Sequence, residues 1–286
     1  MNRPNQSSIV IANIPRYGLC NCLLVWAKAY AFSRQHGLPL LVHGWKAWHI
    51  GPWIRGERVK RYYGNYFVRQ GNLVELWKMN SQRKKSTQSV VVEPKHDSPL
   101  QPQANYYVFE EVPHRDDFFA GLRGSESQIR GGFFAMLRPW LHEARSALQE
   151  PEVAIHVRRG DYHASGHAIT PIEYYAEQLQ RIRSIRGENT PAVVFSDAHD
   201  HELKKLLELP GVSRSNAQKD ILDLIQMMSS EYIVTSLQST FGYWAGFLSR
   251  ASIILHPDHK FGLIRDPDCG MFEGSGEQLT AEFGNS

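Results

Sequence analysis

The chain has 286 residues, 42% hydrophobic and 21% charged, with a net charge of +3. That length holds one large domain or two moderate ones, and the composition is that of an ordinary globular protein. So mild a charge argues against a nucleic-acid partner or a strongly anionic surface, although one local basic site for a phosphate would account for it.

Three cysteines, Cys20, Cys22 and Cys269, form neither a disulfide framework nor a metal-binding pair, because Cys20 and Cys22 are only two apart. Cys20 and Cys22 read as small buried residues on a helix. The polar start "MNRPNQSS" leads into a short apolar run and does not read as a signal peptide. No apolar stretch reaches the ~20 residues a membrane span needs. The expectation is a cytoplasmic protein with at most peripheral membrane contact.

In chain order, "SIVIANI" (8–14) reads as a buried strand. A helix follows with Leu23, Trp26, Ala27, Tyr30 and Ala31 at helical spacing, stopped at Gly37. "LPLLVHG" is the next strand, completing a βαβ unit. Residues 45–105 have weak periodicity, with two strands joined by a proline-rich loop at their end. The basic run Arg83, Lys84, Lys85 reads there as a solvated loop. Trp45, Trp48, Trp53, Tyr62 and Tyr63 are candidates for stacking on sugars, or else simply for packing. Residues 114–148 read as helical with a break at Pro139.

The second half alternates clearly. "EVAIHV", "PAVVFSD", "EYIVTS" and "ASIILHP" are strands, separated by helices in "TPIEYYAEQLQRIRSI", "DHELKKLLEL", "KDILDLIQMMSS" and "TFGYWAGFLSR". Thr170 is a candidate cap, with Pro171 at the first helical position. This pattern predicts an α/β fold with parallel sheets. A seam at Pro151 divides it into domains 1–150 and 151–286.

Chemistry concentrates at strand ends, where open α/β sheets bind ligands. "HVRRGDY" (156–162) ends a strand on two arginines, whose forked guanidiniums suit phosphate. Neighbours on a strand point to opposite faces. One arginine therefore faces a ligand, and the other pairs with a carboxylate such as Asp161. "SLQSTFGYWAG" (236–246) opens a helix with Ser239 and Thr240, an anion cradle or an ordinary cap. "RYGLCNCLL" lacks both the dinucleotide and the P-loop glycine patterns. "SDAHDHE" (196–202) invites a metal reading, but its acids suit the first turn of a helix better. A metal-dependent hydrolase built on His156, Asp161, His163 and His167 is a competing reading.

In order, "IHVRRGDY", "HAITPIEYY", "VVFSD" and "SLQSTFGYWAGFL", with "YGLCNCLLVWAKAYAFSRQHGLPLLV" near the start, resemble the α-1,2-fucosyltransferases of glycosyltransferase family 11. The resemblance covers about residues 9–43 and 152–257. It implies a GT-B architecture of two Rossmann-like domains flanking a cleft. The N-terminal domain would lie on the acceptor side and the C-terminal domain would bind GDP-fucose. It further implies inverting, metal-independent transfer of fucose to a glycan acceptor, with α-1,2 linkage to galactose.

By the same resemblance Arg158 contacts the β-phosphate, His156 lies against the nucleotide, and Ser239 and Thr240 cradle the diphosphate. Phe241 and Asn21 join the substrate-binding set. Asp223, with Asp220 as alternative, resembles the carboxylate that reads guanine in related α-1,6 enzymes. His167 matches a family histidine and is the candidate base, with His163 and Asp161 as rivals. No metal ligand and no cofactor is implied. Departures from the family pattern are Gln238 in place of Asn, Gly242-Tyr243-Trp244 in place of Ser-Trp-Trp, "LCN" in place of Leu-Gly-Asn, and Gly166 where the α-1,6 enzymes have Glu. They motivate a third reading, a non-catalytic GDP-sugar or glycan-binding protein.

Overall fold

A computed structural model describes residues 8–46, 62–71, 73–85, 89–113, 117–160, 168–217 and 219–284. The chain divides into two compact units, one ending at Pro139 and the other running from Trp140 to Ser286.

The first unit is a four-stranded parallel sheet in the order β2-β1-β4-β3. Its strands are β1 (Ile9–Asn13), β2 (Leu40–His43), β3 (Val90–Val92) and β4 (Tyr106–Phe109). Helix α1 (Leu19–His36) packs on β1 and β4 and is buried almost all round, from Cys22 to Ala27 without a break. That explains why its sequence is apolar on more than one face. Cys20 and Cys22 are buried in it as small residues, the Cys22 thiol donating to the carbonyls of Pro15 and Tyr17. Gly37 ends the helix at φ 64°, a backbone that glycine adopts without strain.

Three expectations change here. Arg83, Lys84 and Lys85 form the last turn of helix α2 (Leu73–Lys85), not a loop, and Arg83 pairs with Glu110 at 2.9 Å. The helix escapes notice in the sequence because only Met79 among its described side chains is fully buried. Residues 114–148 hold two helices, α3 (Glu126–Met136) and α4 (Pro139–Ser146), with Pro139 opening the second. Trp45 and Tyr63 are buried, Trp45 against Phe67 with centroids 4.3 Å apart, so both pack; Trp48 and Trp53 lie outside the described residues.

The second unit is a six-stranded parallel sheet in the order β10-β9-β8-β5-β6-β7. Its elements are β5 (Val153–Val157), α5 (Ile172–Arg186), β6 (Ala192–Ser196), α6 (Asp200–Leu207), β7 (Val212–Arg214), α7 (Asp220–Met227), β8 (Tyr232–Val234), α8 (Thr240–Leu248), β9 (Ser252–Ile254), β10 (Glu273–Gly274) and α9 (Gly276–Phe283). Every residue of β5 is buried, as expected of a central strand covered by helices on both faces. β5, β6 and β7 follow one another toward one edge, and β8, β9 and β10 toward the other. The chain therefore reverses direction between β5 and β8. In open α/β sheets the crevice at such a reversal, at the carboxyl ends of the strands, is where ligands bind.

Thr170 does not cap α5. Pro171 occupies the capping position, and the Thr170 hydroxyl instead accepts the Leu237 N–H at 3.1 Å. β7, β10 and α9 were not expected: strands of two or three residues are too short to show a period, whereas α9 is opened by a capping box of Ser275 and Gln278.

β10 is held by a buried arginine. Arg265, 1% exposed, donates to Ala251 O and Phe272 O, each at 2.9 Å. Glu273 accepts the N–H groups of Ile264 and Arg265. Removing the guanidinium would take its donor from Ala251 O, leave Phe272 O with the Ile253 N–H alone, and leave Glu273 without its cation. Arg265→Ala should lower unfolding free energy by about 3–5 kcal/mol in urea titration; a loss below about 1 kcal/mol would show that the segment is held by something else.

Candidate active site

The end of β5 is shaped by hydrogen bonds from other elements. Ser236, just beyond β8, donates its hydroxyl to His156 O at 2.8 Å and accepts the Arg158 N–H at 2.8 Å. A hydroxyl has one proton, already given to His156 O. Tyr175 of α5, whose oxygen lies 2.6 Å away, is therefore the donor in their contact. Ser236 and Tyr175 are both buried, so these bonds work without competition from water.

Asp197 follows β6, which pairs with β5 in register Val157↔Ser196. Its position directly beside Arg158 thus follows from the sheet. Its Oδ1 accepts the Arg159 N–H at 2.8 Å, and its Oδ2 accepts from Arg158 Nη1 at 2.5 Å. Gly160 lies against the same carboxylate, and a Cβ there would come within 2.2 Å of Oδ2. The glycine of "HVRRGDY" is present because Asp197 occupies the space.

The two arginines part as strand alternation requires. Arg159 is 7% exposed and donates to Thr170 O at 2.6 Å. Arg158 keeps 29% of its side chain exposed, at the mouth of the strand. The carboxylate beside it is Asp197, which sequence reasoning had passed over as part of an acidic helix start. The signal was available in two "strand then charged residue" endings on neighbouring strands. Asp161, His163 and His167 lie outside the described residues.

His156, two residues before Arg158, points to the same face. It is 5% exposed and stacks on Phe241 of α8, with centroids 5.3 Å apart and planes at 27°. Its Nδ1 is buried, has no protein partner, and faces Gly242, where a Cβ would lie 3.1 Å away. Burial, and next the charge of Arg158, push its pKa down to about 3. His156 is thus a neutral ring at working pH and adds no charge beside Arg158.

On the other side of the reversal, Ser239 is the capping residue of α8 and is 4% exposed, with no side-chain capping bond; Thr240 begins the helix, half-buried. Gln238 before them adopts φ 60°. Asp223 and Asp220 both lie in the first turn of α7. Ser215 donates to Asp223 Oδ1 at 2.5 Å, whereas Asp220 Oδ1 accepts the N–H of the next residue, Ile221. The structure thus gathers His156, Arg158, Ser239, Thr240 and Phe241 around Ser236. Asp223 stands at the same carboxyl rim, since Ser215 follows β7 directly. Asn21 lies half-buried in the first turn of α1, in the other unit.

The "SDAHDHE" run is committed to the protein. Asp197 holds the arginines, Asp200 pairs with Arg214, and Glu202 accepts the His199 N–H at 2.8 Å. Among the described residues no group of three His, Cys, Asp or Glu side chains is placed to hold a metal ion.

Residues 139–259 match Glycosyl transferase family 11. That region runs from the first residue of α4 to His259 and includes every site residue of the second unit named above. A curated relative is the O-antigen biosynthesis glycosyltransferase WbnK of Escherichia coli, 28% identical over 104 residues. The match spans 34% of this chain and 34% of WbnK, so about a third of that relative's length is represented. Solved structures with a similar fold include the NodZ α-1,6-fucosyltransferase soaked with GDP-fucose. It has a TM-score of 0.58 at 14% identity, over 90% of this chain and 97% of that one. NodZ from Bradyrhizobium matches with the same TM-score and identity over 88% and 97%. A mutant of Arabidopsis thaliana FUT1 in complex with GDP matches with a TM-score of 0.53 at 13% identity, over 89% and 72%. The α/β architecture with two parallel sheets expected of a GT-B protein is therefore the fold of this chain.

Gly160→Ala tests the strand end directly. Its methyl would displace the Asp197 carboxylate and free both arginines from their setting. Ligand binding at this site should fall at least about tenfold in calorimetry, as expected for losing charge-assisted bonds; unchanged binding would mean that Asp197 does not set Arg158.

Proposed function

We propose that this protein transfers fucose from GDP-fucose to a hydroxyl of a glycan acceptor, with inversion, without a metal ion, and with α-1,2 linkage to galactose. The observation that carries the reading is the pairing, across the strand reversal, of the exposed Arg158 with the start of α8 at Ser239 and Thr240. The family 11 match over this same region and the fold shared with proteins solved with GDP or GDP-fucose support it.

The chemistry follows from the charges. As the bond from fucose to the β-phosphate oxygen breaks, negative charge grows on the diphosphate. Arg158, oriented by Asp197 on one side of its fork, offers planar donors to that oxygen. The first N–H groups of α8 and the hydroxyls of Ser239 and Thr240 offer more. Donors set in advance stabilise this developing charge more than the resting ester. Among the described residues the strand end carries Arg158 and Arg159 against Asp197, an excess of one positive charge that offsets part of a diphosphate's negative charge. Neutral His156 and Phe241 present ring surface rather than charge. Asp223 is the group proposed to accept from guanine N1–H and the exocyclic amine. The attacking hydroxyl loses its proton to a base proposed at His167, with His163 and Asp161 as rivals, and Asn21 belongs to the proposed substrate set. The protein is proposed to act in the cytoplasm.

GDP-fucose offered with a panel of glycans should release GDP and add the mass of one fucose to a galactose-terminated acceptor; binding of GDP with no acceptor-dependent release would make the protein a binder instead. Arg158→Ala should abolish turnover while leaving the fold intact, and Arg158→Lys should also be poor because it lacks the fork. Turnover near that of the wild type in either variant, or activity that a chelator removes and Mg²⁺ restores, would overturn the mechanism.

Nucleotide choice is a separate test. GDP should bind far more tightly than ADP, which cannot supply both donors to the carboxylate. Asp223→Asn should narrow that gap by weakening GDP at least about tenfold, the value of a charged hydrogen bond. Equal affinities for GDP and ADP in the wild type would remove the guanine role from Asp223 and Asp220 alike.

A further inference from the structure

The turn entering α8 is held by a hydrogen-bond chain that the reaction just described does not use. Gln238 sits at φ 60°, a conformation that costs a side chain such as glutamine free energy and persists only where its surroundings impose it. Its N–H donates to Tyr243 Oη at 3.0 Å. Tyr243 Oη lies 3.1 Å from His259 Nδ1, and His259 Nε2 lies 3.4 Å from Gly262 O. A carbonyl only accepts, so Nε2 carries the ring proton and Nδ1 accepts from the tyrosine hydroxyl. The tyrosine oxygen keeps its lone pairs for Gln238. Every bond then has one donor and one acceptor, in the order Gln238 to Tyr243, Tyr243 to His259, and His259 to Gly262.

Rings enclose the chain. Tyr243 is 1% exposed; His259 meets it edge-on at 5.2 Å and meets Phe261 at 5.5 Å. Tyr243 is the fourth residue of α8, and Gln238 immediately precedes the capping residue. These are the two positions that a hydrophobic staple joins in other helices to fix the angle of chain entry. Here a hydrogen bond joins them, and a histidine from beyond β9 backs it.

We propose that Tyr243 and His259 are positioning residues for the diphosphate cradle. They hold the left-handed turn at Gln238, and through it place Ser239, Thr240 and the first N–H groups of α8 against the donor. This rests on the donor-site reading above and adds to it the residues that set its geometry. Neither residue touches the reacting atoms, but the cradle they set serves both the resting diphosphate and its developing charge, so their loss weakens donor binding and slows turnover together.

The test is GDP titration calorimetry, with steady-state kinetics in GDP-fucose, on the full chain. Tyr243→Phe keeps the ring and loses the hydroxyl. It should raise the Kd for GDP and the KM for donor about tenfold, the upper range for one buried hydrogen bond, with kcat falling as well because the cradle also stabilises the developing charge. His259→Ala should do the same, and His259→Asn, which keeps an acceptor near the place of Nδ1, should recover most of the affinity. If Tyr243→Phe and His259→Ala bind GDP as the wild type does, the positioning role is wrong. A wild type that binds no GDP would overturn the donor-site reading and this inference together, whereas normal binding by the wild type and both variants overturns the inference alone.

Discussion

The end of β5 is not shaped by its own sequence alone. Strand alternation sends the two arginines to opposite faces, but it does not fix where either is held. Ser236 ties the backbone on either side of Val157, and Asp197 takes the N–H of Arg159 and one arm of Arg158. Both groups come from neighbouring strand ends, so the register of the sheet sets the register of the site. His156 facing Phe241, Arg158 at the mouth and Arg159 turned to Thr170 O all follow once that strand end is fixed.

The glycines near this point serve close approach rather than unusual backbone. Gly160 yields its side-chain volume to Asp197, and Gly242 yields its volume to the His156 ring. The left-handed residue is Gln238, which has no such freedom and is held by Tyr243. Of the departures from the family pattern noted in the sequence, the tyrosine at 243 supplies the hydroxyl of this bond, while position 238 contributes its backbone N–H. In the first unit Glu93 repeats the theme at φ 48°: its Oε1 accepts the N–H groups of Glu110 and Glu111, and its Oε2 pairs with Lys28.

Much of this was legible in the sequence, because helices and strands of the second half alternate with clean periods and punctuation. The α/β class and the strand ends carrying HVRRGD and Ser-Thr could be read directly. What could not be read was pairing at a distance. Arg158 and Asp197 are neighbours only because β5 and β6 are, and the Tyr243–His259 bond needs the turn after β9. Helix α2 was hidden by its polarity, β7 and β10 by their length, and Thr170 looked like a cap because its type suits one. The residues named as candidate bases, His167, His163 and Asp161, lie outside the described part of the chain.

Every strand pairing in both sheets is parallel. Parallel neighbours cannot be joined by a tight hairpin, so no pair forms from adjacent sequence. The demand is greatest at β1, whose residue Ile9 lies opposite Tyr106 of β4. During synthesis one edge of β1 therefore has no partner until nearly a hundred further residues have been made, a long wait for an apolar strand. The order of synthesis makes the first strand of this protein the segment most in need of shielding before the fold closes.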